Sequence, residues 1–104
     1  MATITKALAR TALATTLGGL YTVPTSGTTT VVTSIVVVNT AAGSATFTVL
    51  LDGVEIFNLT PIAGNSTISI DMKQVLDANV TPKIIEGVST STAVKIHISG
   101  VEIS

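Results

Sequence analysis

His97 is the only histidine in the chain, and it stands among nine serines and six acids without the local sequence that turns such residues into a nucleophile. A Ser/His/Asp relay could be drawn from His97, Asp71 and any of the serines. No Gly-x-Ser-x-Gly elbow and no glycine-rich oxyanion segment accompanies it. His97 falls on the Lys95 face of its strand, which makes it an exposed strand residue. Paired carboxylates for glycoside hydrolysis could come from Asp52, Glu55, Asp71, Asp77, Glu86 and Glu102. Asp52 is better explained as a turn residue and Glu55 as a cross-strand surface group. A sugar cleft also calls for aromatic platforms, and this chain has no Trp, one Tyr and two Phe. Asp71 or the Asp77-Ala78-Asn79 turn offers oxygens to calcium, but neither has the alternating acidic ligands of a dedicated loop. Gly18-Gly19 leads into no Gly-Lys-Ser/Thr sequence, so a phosphate cradle is not expected. With no cysteine, thiolate metal sites, disulfides and Cys nucleophiles are excluded. The residues predict no enzyme, no metal and no cofactor.

The elements that would position these residues are bounded by composition. The chain's 104 residues suit one domain, about the length of a single β-sandwich. Apolar residues make up 46% and charged residues only 11%, against about 25% charged in an ordinary globular domain, which excludes disorder. Five Lys and Arg against six Asp and Glu give a net charge of -1, without the clustered positive charge that direct nucleic-acid binding needs. No charged residue lies between Arg10 and Asp52, yet Gly18, Gly19, Pro24, Gly27 and Gly43 and many Thr interrupt that stretch. No run of ~20 apolar residues is left to span a membrane. Lys6 to Leu20 loosely imitates a signal peptide, but its apolar region is short, broken by Thr11, Thr15 and Thr16, and followed by no clean cleavage site.

From residue 20 onward β-branched residues form short runs separated about every ten residues by Gly, Pro, Asn and Asp, the spacing of a sandwich or barrel. Strands are predicted at 20–23, 29–39, 45–51, 54–59, 66–72, 83–87 and 93–103. Asp52-Gly53 is the sharpest local signal, because a two-residue type I′ turn needs positive φ at both positions. Counting outward from it, Leu51 faces Val54, Val49 faces Ile56 and Phe47 faces Asn58 on the core side. Leu50, Phe57 and Leu59 then fall on the opposite side. Between Thr30 and Asn39 both faces of the strand are apolar, with Val32, Val36 and Val38 on the side away from the core. A sandwich buries only one face of each sheet in its own core, so Val32, Val36, Val38, Leu50, Phe57 and Leu59 are predicted to form a subunit interface. In the last strand Gly100 interrupts the alternation of Val94, Ile96 and Ile98, which suggests a β-bulge at Ser99-Gly100. Residues 1–19 are too Thr-rich for a helix and are read as an N-terminal arm that attaches through Ala7, Leu8, Leu13 and Leu17. Residues 20–104 form the sandwich.

Leu20-Tyr21-Thr22-Val23-Pro24, Gly27, Val32-Thr33-Ser34-Ile35-Val36-Val37-Val38-Asn39-Thr40, Ala45-Thr46-Phe47-Thr48-Val49 and Asp52-Gly53-Val54 together resemble a group of small virion structural proteins of tailed bacteriophages. Pro61 with Asn65-Ser66-Thr67, and the closing Val94-Lys95-Ile96-His97-Ile98-Ser99-Gly100-Val101-Glu102, continue the resemblance over about residues 20–103. Gly27 follows Thr25-Ser26 here, whereas the group places Ala-Gly nearer the Pro, a difference confined to a loop. The resemblance implies an all-β, jelly-roll-like antiparallel sandwich. It also implies a capsid decoration (cement) role, with a small tail or baseplate component as the alternative. The expected partners are further copies of the chain, as a trimer, and the major capsid protein or another virion protein. The expected location is the virion, assembled in the host bacterial cytoplasm. A secreted carbohydrate-binding module is the alternative of a different class.

Overall fold

The computed structural model describes residues 3–23, 28–77 and 83–103. Positions 24–27, which hold Pro24 and Gly27 of the motif above, and 78–82, which hold Ala78-Asn79 of the acidic turn, lie outside the described residues.

The Asp52-Gly53 turn organises the whole chain. Both residues have positive φ, 55° and 77°, as a type I′ turn requires. The chain runs away from this turn in both directions as one long antiparallel hairpin. β4 (Ala45–Leu51) pairs with β5 (Val54–Ile62), β3 (Thr29–Asn39) with β6 (Ser66–Asp77), β2 (Gly18–Thr22) with β7 (Ile84–Ser89), and β1 (Thr3–Ala12) with β8 (Val94–Ile103). Rolling that hairpin up adds the pairs β3–β8 and β4–β7. The result is two four-stranded sheets, β1-β8-β3-β6 and β2-β7-β4-β5, in the strand order of a jelly roll.

Period-2 alternation supplies the core. From the first sheet come the rows Ala9–Ile98–Ile35 and Ile96–Val37–Ile68, and from the second Phe47, Val49, Leu51, Ile62 and Ile85. Ile35, Val37, Val49, Ile85, Ile96 and Ile98 are fully buried, each worth roughly 1.5–3 kcal/mol of transfer free energy. The 22 × 17 Å cross-section of the Cα trace suits two sheets stacked about 10 Å apart.

The N-terminal segment is not an arm: Thr3–Ala12 is an edge strand of the first sheet, in register with β8 from Thr3↔Ile103 to Ala12↔Lys95. Leu8 and Leu13 are core residues, while Ala7 and Leu17 are exposed. Most of β1 is exposed and only Leu8 and Ala9 are buried, so its own pattern carries little strand signal. What receives it lies elsewhere. A Cβ on Gly100 would stand 2.8 Å from Leu8 Cδ1, and a Cβ on Gly87 would stand 2.8 Å from Leu13 Cδ2. Two glycines in β8 and β7 thus leave the hollows that these leucines fill.

The bulge expected in β8 lies instead in both neighbours of β8 at that level. Thr33 is the extra residue in β3, between Val32↔Gly100 and Ser34↔Ser99, and Leu8 is the extra residue in β1. β8 itself keeps its alternation, so Gly100 is buried and Glu102 continues the inward-facing series.

Candidate assembly surfaces

The Thr33 bulge decides which face each valine of β3 occupies. Thr30 and Val32 point inward before it, and Ile35, Val37 and Asn39 point inward after it. Val32 is therefore a fully buried core residue, a correction to the expected interface set. Val36 and Val38 do lie on the outer face and are half-buried. They sit in the cross-strand rows Arg10–His97–Val36–Ser69 and Ala12–Lys95–Val38–Thr67. Further along the same face the row Thr5–Val101–Val31–Val75 adds apolar surface, with Val75 62% exposed.

On the second sheet the hairpin count holds for two pairs, Leu51↔Val54 and Leu50↔Glu55, and then slips: Val49 pairs with Phe57, and Phe47 with Thr60. Phe57 is thereby carried to the core side, where its ring centroid lies 5.6 Å from that of Phe47 in a tilted pair. Phe57 is a second correction to the interface set, since it packs against the core cluster. Leu50 and Leu59 stay outside. Leu59 is 66% exposed and has φ 47°, a left-handed conformation that costs a leucine roughly 1–2 kcal/mol. The Leu59 amide donates to Thr48 Oγ1 at 3.0 Å, which holds the irregular residue against β4. Leu59, Val88, Thr46, Thr48, Thr90, Ser89 and Thr15 line a shallow depression of about 280 Å³ without a charged wall. Val88 and the threonines were not singled out from the sequence, because their shared face appears only when β4, β5 and β7 are laid side by side.

The titratable residues are dispersed. His97 stands on the outer face opposite Arg10 and Val36, and Asp71 stands opposite Ser34 on β6. Two strands and two residues separate the two positions, roughly 12 Å at ordinary sheet spacing. Asp52 pairs with Lys83 at 3.4 Å beside the turn, and Glu86 and Glu55 flank Leu50 on either side of β4. Among the described residues no three His, Asp or Glu side chains gather as a metal site.

A polar cluster joins the two sheets. Tyr21 of β2 donates its hydroxyl proton to Glu102 of β8 and lies 2.9 Å from Thr30 Oγ1 of β3, and Lys6 Nζ reaches Glu102 Oε1 at 3.4 Å. Burial, and then the bond to Glu102, push the Tyr21 phenol up to about 12. Nothing local in the sequence marks this cluster, because its four residues come from four different strands. All three aromatic side chains are thus engaged inside or between the layers, and none is offered as a flat platform to a sugar.

No protein-family model and no curated protein matches the sequence. Among solved structures, a chain in the structure of the infectious bursal disease virus Gx strain superposes with a TM-score of 0.59 at 11% identity, over 98% of this chain and 32% of that one. A pentameric capsid protein isolated from metagenomic phage sequences aligns at 16% identity over 96% of this chain and 59% of its own, with a TM-score of 0.39. Dimeric latent PorU from Porphyromonas gingivalis aligns at 13% identity over 97% of this chain and 9% of its own, with a TM-score of 0.38. The chain spans about a third of the length of the infectious bursal disease virus protein, and at that identity what the two have in common is the fold.

Proposed function

We propose that the chain is a structural subunit of a virion, specifically a decoration (cement) protein of a tailed-phage head that assembles as a homo-oligomer. The observation that carries this reading is the superposition of nearly the whole chain, 98% of it, on part of a protein from a virus structure. Because fold alone does not fix function, the surface has to agree with it. Both sheets present Val, Leu and Thr outward with few charges, a composition suited to burial against another protein. Binding assembled capsomers more tightly than free ones would shift the assembly equilibrium by mass action, and several linked copies would turn a weak contact into slow dissociation. No catalytic step is assigned in this reading. The engaged aromatics weigh against a carbohydrate-binding module.

Electron microscopy of intact particles carrying a tagged copy of the chain tests the proposal. Density on the head shell, in stoichiometric proportion to capsomers, is the expected result. Density at the tail or baseplate would replace the cement role with the other virion role, and absence of the chain from purified particles would overturn both.

A further inference from the structure

The outer faces of the two sheets carry opposite charge around apolar centres. On the first sheet Lys95 stands directly beside Val38, and Arg10 stands beyond His97 in the row of Val36. Further out on the edge strand β6, Asp71 and Lys73 stand two residues apart on one face and offset each other, and Asp77 lies at the far end of that strand opposite Thr29, away from Val36 and Val38. On the second sheet Glu86 and Glu55 lie on either side of Leu50, next to Val88 and Leu59. The ion pairs among the described residues are Lys6–Glu102 and Lys83–Asp52, so Arg10, Lys95, Glu55 and Glu86 all lack an ionic partner there. Apolar residues ringed by charge are the anatomy of a protein interface, and here the two rims have complementary sign.

We propose that the outer face of β2-β7-β4-β5 in one copy docks on the outer face of β1-β8-β3-β6 in a second copy of this chain. Leu50 and Val88 meet Val36 and Val38, and Glu55 and Glu86 face Arg10 and Lys95. This deepens the self-association within the proposed function and names its surfaces. Pairing either face with itself would set like charges against each other, which disfavours an isologous dimer. The contact is heterologous. Since the two faces look in opposite directions, repeated docking builds a row or an extended ring of copies in place of the compact trimer expected from sequence.

The test is sedimentation of the full chain and of two charge-reversed variants, Glu55→Lys/Glu86→Lys and Arg10→Glu/Lys95→Glu, each alone and mixed in equal amounts. The wild-type protein should show a concentration-dependent series of oligomers that weakens as salt is raised. Each variant alone should lose that series, and the mixture should restore it, because every contact between unlike variants is again complementary. Circular dichroism establishes that each variant is folded. If a reversed variant fails to fold, the neutral pair Glu55→Gln/Glu86→Gln and Arg10→Gln/Lys95→Gln gives the same reading through loss of salt dependence. A wild-type protein that stays monomeric up to millimolar concentration, or folded variants whose mixture stays monomeric, would overturn the proposal. Particle location is read independently, so a chain found on virions whose variants show no rescue loses this contact and keeps its virion role.

Discussion

Leu8 fills the space that a side chain on Gly100 would need: a Cβ there would stand 2.8 Å from Leu8 Cδ1 and closer still to the Val31 carbonyl. One of these neighbours is backbone, so the clash cannot be relieved by a rotamer change alone. Gly100→Ala should destabilise the protein by about 1–3 kcal/mol, the usual cost of overpacking a tight site. For a domain of this size that lowers the melting temperature by about 4–8 °C per kcal/mol. A melting temperature equal to that of the wild-type protein would mean that Gly100 is not packed against Val31 and Leu8 in solution.

The same relationship predicts the effect of truncation. Deleting residues 3–13 removes a whole strand from the first sheet, strips the edge of β8 and uncovers Ile96 and Ile98, which are fully buried in the intact chain. The truncated protein should lose its cooperative thermal transition or aggregate through the bared edge. A free arm would leave the transition untouched, so the melting curve separates the two arrangements.

Where each element's own residues carried the signal, the sequence was readable. The bounds of β3 and β4 and the Asp52-Gly53 turn were all legible, because alternation and turn chemistry are local. The failures have one cause: distant residues decided them. β1 is a strand because glycines at positions 87 and 100 make room for Leu13 and Leu8, and nothing near Leu8 announces that. Val32 and Phe57 changed face because a bulge advances the pleat by one residue, and a bulge is visible only against its partner strand. Val36, Val38, Leu50 and Leu59 kept their expected face, since in β3 the bulge precedes Val36 and in β5 the two slips fall on either side of Phe57.

Phe57 gives a direct check on that register. With its ring packed beside Phe47 and against the core, Phe57→Ala should cost about 3 kcal/mol, toward the lower end of the range for core phenylalanines because the side chain is only partly buried. Denaturant titration should show a lowered midpoint. A folded variant of unchanged midpoint but weakened self-association would return Phe57 to the outer face.

Leu59 predicts the opposite separation. Its left-handed backbone is unfavourable for leucine and neutral for glycine, and its side chain is 66% exposed, so little burial is lost on removing it. Leu59→Gly should leave protomer stability unchanged or raise it by up to about 1 kcal/mol. It should also weaken association, because the exposed leucine adjoins the face that docks. The two readouts, melting temperature and sedimentation, should therefore move independently. A clear loss of stability would show that Leu59 supports the protomer itself.

Tyr21 predicts a pH dependence whose sign is fixed by its surroundings. Its proton is given to Glu102, so the Thr30 hydroxyl is the donor in their 2.9 Å contact. Burial and the neighbouring carboxylate both disfavour the phenolate, and the folded phenol titrates near 12 against 10.0 for the ordinary value. Below pH 10 both the folded and the unfolded chain hold the proton, and the contribution to stability is fully present. Between pH 10 and 12 the unfolded chain releases the proton while the folded chain keeps it, so stability falls as pH rises through that window. The chain has one Tyr and no Trp, which makes the near-ultraviolet absorbance of tyrosinate a single-residue titration. Tyr21→Phe supplies the comparison: it removes the hydroxyl that links the two sheets at Glu102, at a cost of about 1–3 kcal/mol at neutral pH, and it abolishes this part of the alkaline decline. The two proteins differ only in this hydroxyl, so the difference between their stability curves isolates the phenol. A native titration at the ordinary tyrosine value, with parallel curves for the two proteins, would mean that Tyr21 is not held between the sheets.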